Sequence, residues 1–145
     1  MESKINFFEV ETSFQPSHPH EIQQWIGQIT EQHQQTIAEI NYIFVSDDYL
    51  HRMNVEQLGH DYLTDIITFP YQERGLPLHS DIYISIDRVR DNAETRELSF
   101  EDELHRVMIH GVLHLCGYDD HSDEDKEQMR NLETEALNLR LWMNP

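Results

Sequence analysis

Cysteine is all but absent. The single thiol, Cys116, has no second cysteine for an internal disulfide, and its neighbours Leu115 and Gly117 supply no activating base, so a small buried side chain is its expected role. Basic residues are scarce. Ten Lys and Arg face 28 Asp and Glu, and a formal net charge of −18 repels polyanions at long range and argues against non-specific nucleic-acid binding. RNA contact then requires a local basic strip or a basic protein partner. Long apolar runs are missing too: none approaches the ~20 residues needed to cross a bilayer. The opening Met1-Glu2-Ser3-Lys4 has no apolar leader segment, so the expectation is a cytoplasmic protein with no membrane association.

What is present suits a folded domain. The chain has 145 residues, 38% hydrophobic and 26% charged, with Trp25, Trp142 and six tyrosines. A globule of that length hides roughly 70% of the surface its unfolded chain exposes. One domain over residues 1–145 is expected, without linker or internal repeat.

The hydrophobic period changes along the chain. Residues 4–11 read as a strand closed by Ser13 and Pro16. Ile22, Trp25, Ile26 and Ile29 recur at three- and four-residue steps, predicting an amphipathic helix from Pro19 to about Gln35. Residues 37–45 alternate as a second strand, and Ser46 caps a helix over 47–58 that Gly59 ends. Residues 65–69, stopped by Pro70, and 81–85 supply strands three and four. Helices follow at 87–97, from a capping box at Ser99 to about Leu115, and after Ser122, the last carrying Met129, Leu132, Ala136 and Leu137 on one face. Four strands and about five helices predict an α+β domain with one mixed sheet.

The chemistry concentrates in Met108-Ile109-His110-Gly111-Val112-Leu113-His114-Leu115-Cys116, where apolar residues surround the helix on nearly every side, as in a central buried helix. His110 and His114 are four apart, on one face about 6 Å from each other, a separation one small cation bridges. Unpaired buried polar groups cost on the order of 1 to 3 kcal/mol each, and a metal would satisfy both rings; two separately hydrogen-bonded core histidines are the plainer alternative. Gly117 then lets the chain turn, and Tyr118-Asp119-Asp120-His121 returns ligand-type side chains, with Asp120 or His121 as third ligand. Imidazole with carboxylate, or three imidazoles, suits one Zn²⁺ per chain with a fourth position open to water. Zincin peptidases share this histidine spacing, but their general base follows the first histidine, and here that position is Gly111.

The run from His110 through Gly117-Tyr118-Asp119 resembles the signature of the YbeY family, metal-dependent endoribonucleases of bacterial ribosomal RNA maturation. Thr64-Asp65-Ile66-Ile67-Thr68-Phe69-Pro70 resembles the family's Thr-Asp-Val-Leu-Ser-Phe-Pro, Ser80-Asp81-Ile82 its Gly-Asp-Ile, and residues 129–137 its closing helix. The resemblance implies a small α+β fold with a zincin-like metal helix at its centre. It also implies hydrolysis of single-stranded RNA in rRNA processing and small-subunit maturation, with small-subunit proteins and the Era GTPase as partners. Two positions depart. Asp120 stands where the family has a third histidine, with His121 one residue late, and the family's functional arginine falls on Leu58, for which Arg52 or His60 are the stand-ins.

Supporting catalytic candidates are Asp65 and Asp81, at strand starts, with Arg52. Arg88, Arg90, Arg96 and Arg106 are the candidate RNA strip, although Asp87, Asp91 and Glu94 lie at helical spacing to pair with them. A rival is an acidic assembly factor with a structural zinc that docks basic ribosomal proteins; a peptidase is a third.

Overall fold

A computed structural model describes residues 4–73 and 75–143; the remaining residues of the expected 1–145 domain lie outside the described set. The chain runs β1 (Ile5–Val10), α1 (Pro19–Gln32), β2 (Ile37–Val45), α2 (Asp47–Leu58), β3 (Ile66–Pro70), β4 (Leu78–Ser85), α3 (Ile86–Thr95), α4 (Phe100–Leu115) and α5 (Asp123–Leu137). The strands form one sheet in the order β1-β2-β4-β3, with β1, β2 and β4 parallel and β3 antiparallel to β4. This is a single α+β domain with a four-stranded mixed sheet and five helices.

The sheet's two faces carry different loads because strand residues alternate. Ile40, Tyr42 and Phe44 of β2, with Ile82 and Ile84 of β4, join α1, α4 and α5 in the main core. Ile43 and Val45 face the other way, with Leu50 of α2, Ile67, Tyr49 and Tyr83. Helix α4 is the middle of the larger layer. Leu104, Val107, Met108, Ile109, Val112 and Leu113 are all buried, and the buried Tyr42 hydroxyl donates to the Met108 carbonyl at 3.0 Å. Gly111 is where helix meets sheet: a Cβ there would lie 3.0 Å from Ile66 Cδ1 and 3.3 Å from Ile82 Cδ1, so only glycine permits this approach without a shift.

Boundaries differ from expectation where tertiary pairing decides them. β4 begins three residues earlier than predicted, since Leu78 donates to the Thr36 carbonyl and pairs with Ile37. Helix α1 stops three residues early, and Gln34 beyond it takes a left-handed φ of 60°. The reciprocal capping box predicted at Ser99 is half formed, because Asp102 turns its carboxylate to Arg140; the complete box is at Ser122 and Asp125. Among the described residues, no helix is long and apolar enough to cross a membrane.

Candidate metal centre

Helix α4 ends in a Schellman turn. Gly117, at φ 107°, donates to the His114 carbonyl, and Tyr118 donates to that of Leu113. The Tyr118 hydroxyl meets His33 Nδ1 at 3.0 Å, pinning the loop to the end of α1. The loop thereby carries Asp120 back over α4, where its Oδ2 lies 3.8 Å from His110 Nε2.

His110 is held from behind. Its Nδ1 meets Glu133 Oε2 at 2.7 Å, and Glu133, nearly buried on α5, also accepts from Arg106 Nη1 at 2.9 Å. Burial pulls the His110 pKa down, but the bond and charge of Glu133, with Asp120 and Asp65 nearby, outweigh it and leave the ring raised. His114 is likewise engaged through Nδ1, 3.3 Å from the Tyr118 carbonyl. Both rings therefore engage the protein through Nδ1, which leaves Nε2 as the atom able to coordinate a metal, the arrangement in which a second partner fixes a metal-binding imidazole.

The fit to zinc can be tested on these distances. Ligands about 2.0 to 2.2 Å from a tetrahedral zinc stand about 3.3 Å apart, so the 3.8 Å between His110 and Asp120 needs half an ångström of closure. The third donor is not yet gathered: among the described residues no three His, Cys, Asp or Glu stand close enough to hold an ion. His114 is also exposed, against the expectation of two buried rings, because the last turn of α4 stands at the rim of the core. The donor types and Nδ1 anchors fit a zinc-type ion, with His110 and Asp120 the pair already near ligand spacing.

Asp120, His110, Asp65, Arg96 and Arg106 meet at one cavity of about 670 Å³ between α4, α5 and the start of β3. Asp65 carries a raised pKa, chiefly from burial, opposed by the charge of His110. Glu103 of α4 is fully buried on the cavity wall; Arg96 Nη1 holds its Oε2 at 2.7 Å, and its Oε1 has no partner among the described residues. Burial raises the Glu103 pKa against the pull of Arg96.

Other predicted residues lie elsewhere. Asp81 is a correction: it sits between the α4-facing Ser80 and Ile82, so its side chain is on the opposite face of the sheet, held by Tyr71 Oη at 2.9 Å and Asn41 Nδ2 at 3.1 Å. Arg52 is another, since it pairs with Glu11 and lies over the Tyr49 ring on that far face. His60 stacks on Tyr62, and Leu58 is exposed at the end of α2; neither lines the cavity. The proposed arginine strip is divided: Arg88 is taken by Asp47 and Asp91, and Arg90 lies over Phe100. His121 is exposed beside the Asp125 carboxylate rather than on the cavity. The thiol of Cys116 is half-buried and pushed up to about 11, consistent with an inert role.

Sequence reasoning missed Glu133, Lys126 and Arg130 on the cavity wall. Glu133 had a readable signal, lying four residues from both Met129 and Leu137 inside an apolar stripe.

Residues 7–140 match the family model described as endoribonuclease YbeY. The chain is 48% identical to the endoribonuclease YbeY of Cytophaga hutchinsonii, over 96% of this chain and 97% of the relative. Identity to the Flavobacterium johnsoniae protein of that name is 46%, over 90% and 93% of the two chains. The solution structure of a Thermotoga maritima protein superposes with a TM-score of 0.67 at 27% identity, covering 95% of this chain and 89% of the other. The chain belongs to the endoribonuclease YbeY family.

Proposed function

We propose that this protein is a zinc-dependent endoribonuclease that hydrolyses phosphodiester bonds of single-stranded RNA in ribosomal RNA processing and small-subunit maturation. The observation that carries the reading is the pair of imidazoles tied back through Nδ1, with Asp120 folded over the nearer one. His110, His114 and Asp120 would hold the ion; His121 is the alternative third donor. Zinc, when bound, supplies Lewis acidity that polarises a phosphoryl oxygen and makes water nucleophilic near neutral pH.

The chain's own residues provide the rest. Glu133 keeps Nδ1 of His110 protonated, so that Nε2 faces the cavity as a lone pair. Asp65, whose burial keeps its carboxyl protonated further toward neutrality than usual, is suited to exchange a proton with the attacking or leaving oxygen. A zincin peptidase base has no place here: position 111 presses on Ile66 and Ile82, where a glutamate would enter the sheet rather than the cavity. The acidic surface, with a net charge of −18, suits contact with basic small-subunit proteins; the Era GTPase is a further proposed partner.

Zinc-loaded protein incubated with a ribosomal RNA precursor and, separately, casein tests the reading. RNA cleavage should fall about 1000-fold in His110→Ala and in His114→Ala, as the loss of several kcal/mol of charge stabilisation implies. Equal cleavage by the variants would overturn it. Zinc-loaded protein that cuts neither substrate would favour the assembly-factor role.

A further inference from the structure

Four of the chain's ten Lys and Arg residues line the cavity beside His110, in a protein of net charge −18. Two of the four are committed, Arg96 to Glu103 and Arg106 to Glu133. The other two, Lys126 and Arg130, have no ion pair among the described residues. Glu133, the acid that faces the cavity at helical spacing from Arg130, is already shared between His110 and Arg106. Glu127, three residues before Arg130, lines a separate shallow depression on α5.

Their placement is unfavourable for the helix itself. Lys126 lies near the N-terminal end of α5, where the helix dipole disfavours a cation. Arg130 stands one turn further along the same face, so the two Cβ atoms lie about 6 Å apart and the like charges share that face, an arrangement that destabilises an isolated helix. Neither cation repairs this with a carboxylate, and both line the cavity that contains His110 and Asp120. A polyanion in the cavity would satisfy both. Salt screens charges beyond about 8 Å at physiological ionic strength, so a local cationic wall governs binding there despite the acidic surface.

We propose that Lys126 and Arg130 are positioning residues that bind successive backbone phosphates of the RNA strand along the α5 wall, holding the strand over His110. The proposal rests on the endoribonuclease reading and locates the strand on α5 rather than on the Arg88 and Arg90 side.

The test measures binding of a labelled single-stranded RNA oligonucleotide at several salt concentrations, in a His114→Ala background to prevent cleavage, alongside cleavage kinetics in the otherwise native chain. Each single-strand phosphate contact contributes about 0.7 to the slope of log affinity against log salt. Lys126→Ala with Arg130→Ala should lower the slope by about 1.4 and weaken binding about 10- to 100-fold. KM should rise while kcat at saturating RNA holds, and Lys126→Arg with Arg130→Lys should restore binding. An Arg88→Ala, Arg90→Ala pair removes the same charge away from the cavity and should leave the slope unchanged. An unchanged slope in the α5 variant, or an equal fall in the Arg88 and Arg90 variant, would overturn the proposal. Failure of the endoribonuclease reading shows separately, as a native chain that leaves RNA uncut while the slope still reports on Lys126 and Arg130.

Discussion

His105 and His110 share helix α4 and stand five residues apart, so they point about 140° away from each other around its axis. His105 is enclosed with Trp25 and Trp142, and its Nδ1 accepts from Arg140 Nη1 at 2.7 Å. A guanidinium only donates, so the ring must stay neutral; burial and then the charge of Arg140 press its pKa down to about 4. Arg140 also reaches Asp102 at 2.9 Å, tying the C-terminal segment to the start of α4. His110 meets an anion at the same atom and at the same 2.7 Å, which makes Nδ1 the donor and leaves Nε2 for the cavity. The partner's sign thus separates a structural histidine from a chemical one: a cation turns the imidazole into a closed acceptor, and an anion turns it into an available ligand.

The largest effect that would sharpen this contrast lies in acid stability. His105 is neutral when folded and titrates near its ordinary value of 6.5 when unfolded, so the unfolded chain binds more protons between those values. Its contribution is fully present above pH 6.5 and is lost as pH falls toward 4, by about 3 kcal/mol at 1.4 kcal/mol per unit. In His105→Gln, denaturant unfolding should show a less stable protein at pH 7, a gap from the native chain that closes by pH 4.5, and undiminished RNA cleavage at neutral pH. A gap that persists at pH 4.5 would break the assignment.

The effect on the other histidine is smaller and of another kind. Glu133→Gln keeps a side chain of the same shape but removes the charge that fixes His110, so zinc affinity should fall by about 10- to 100-fold. Competition with a chromogenic chelator measures this, and a loss confined to thermal stability would place Glu133 with the structural group instead.

Much of this contrast was legible beforehand and some was not. Periodicity located α1, β2 and α5, whose apolar residues recur on one face, while caps and breakers such as Ser46, Gly59, Pro70 and Ser99 bounded other elements, and Gly117 marked the turn that closes α4. The separation of Asp65 from Asp81 lay hidden in strand parity: Asp65 precedes β3 and lines the cavity, while Asp81, inside β4, alternates away from α4. The arginines were unreadable for a different reason. Arg88 pairs with Asp47, 41 residues away, and Arg106 with Glu133, 27 away, choices set by how α2, α3, α4 and α5 meet. His110 was marked by its spacing to His114, but the closed role of His105 was not readable, since the sign of each ring's partner comes from the distant Arg140 and Glu133.

Metal content is the direct test of whether His110 and Asp120 share an ion. Elemental analysis of purified protein should find one zinc per chain in the native form and in His121→Ala, and a loss of most of it in Asp120→Ala and His110→Ala. Full zinc retained in both of the latter variants would contradict the account.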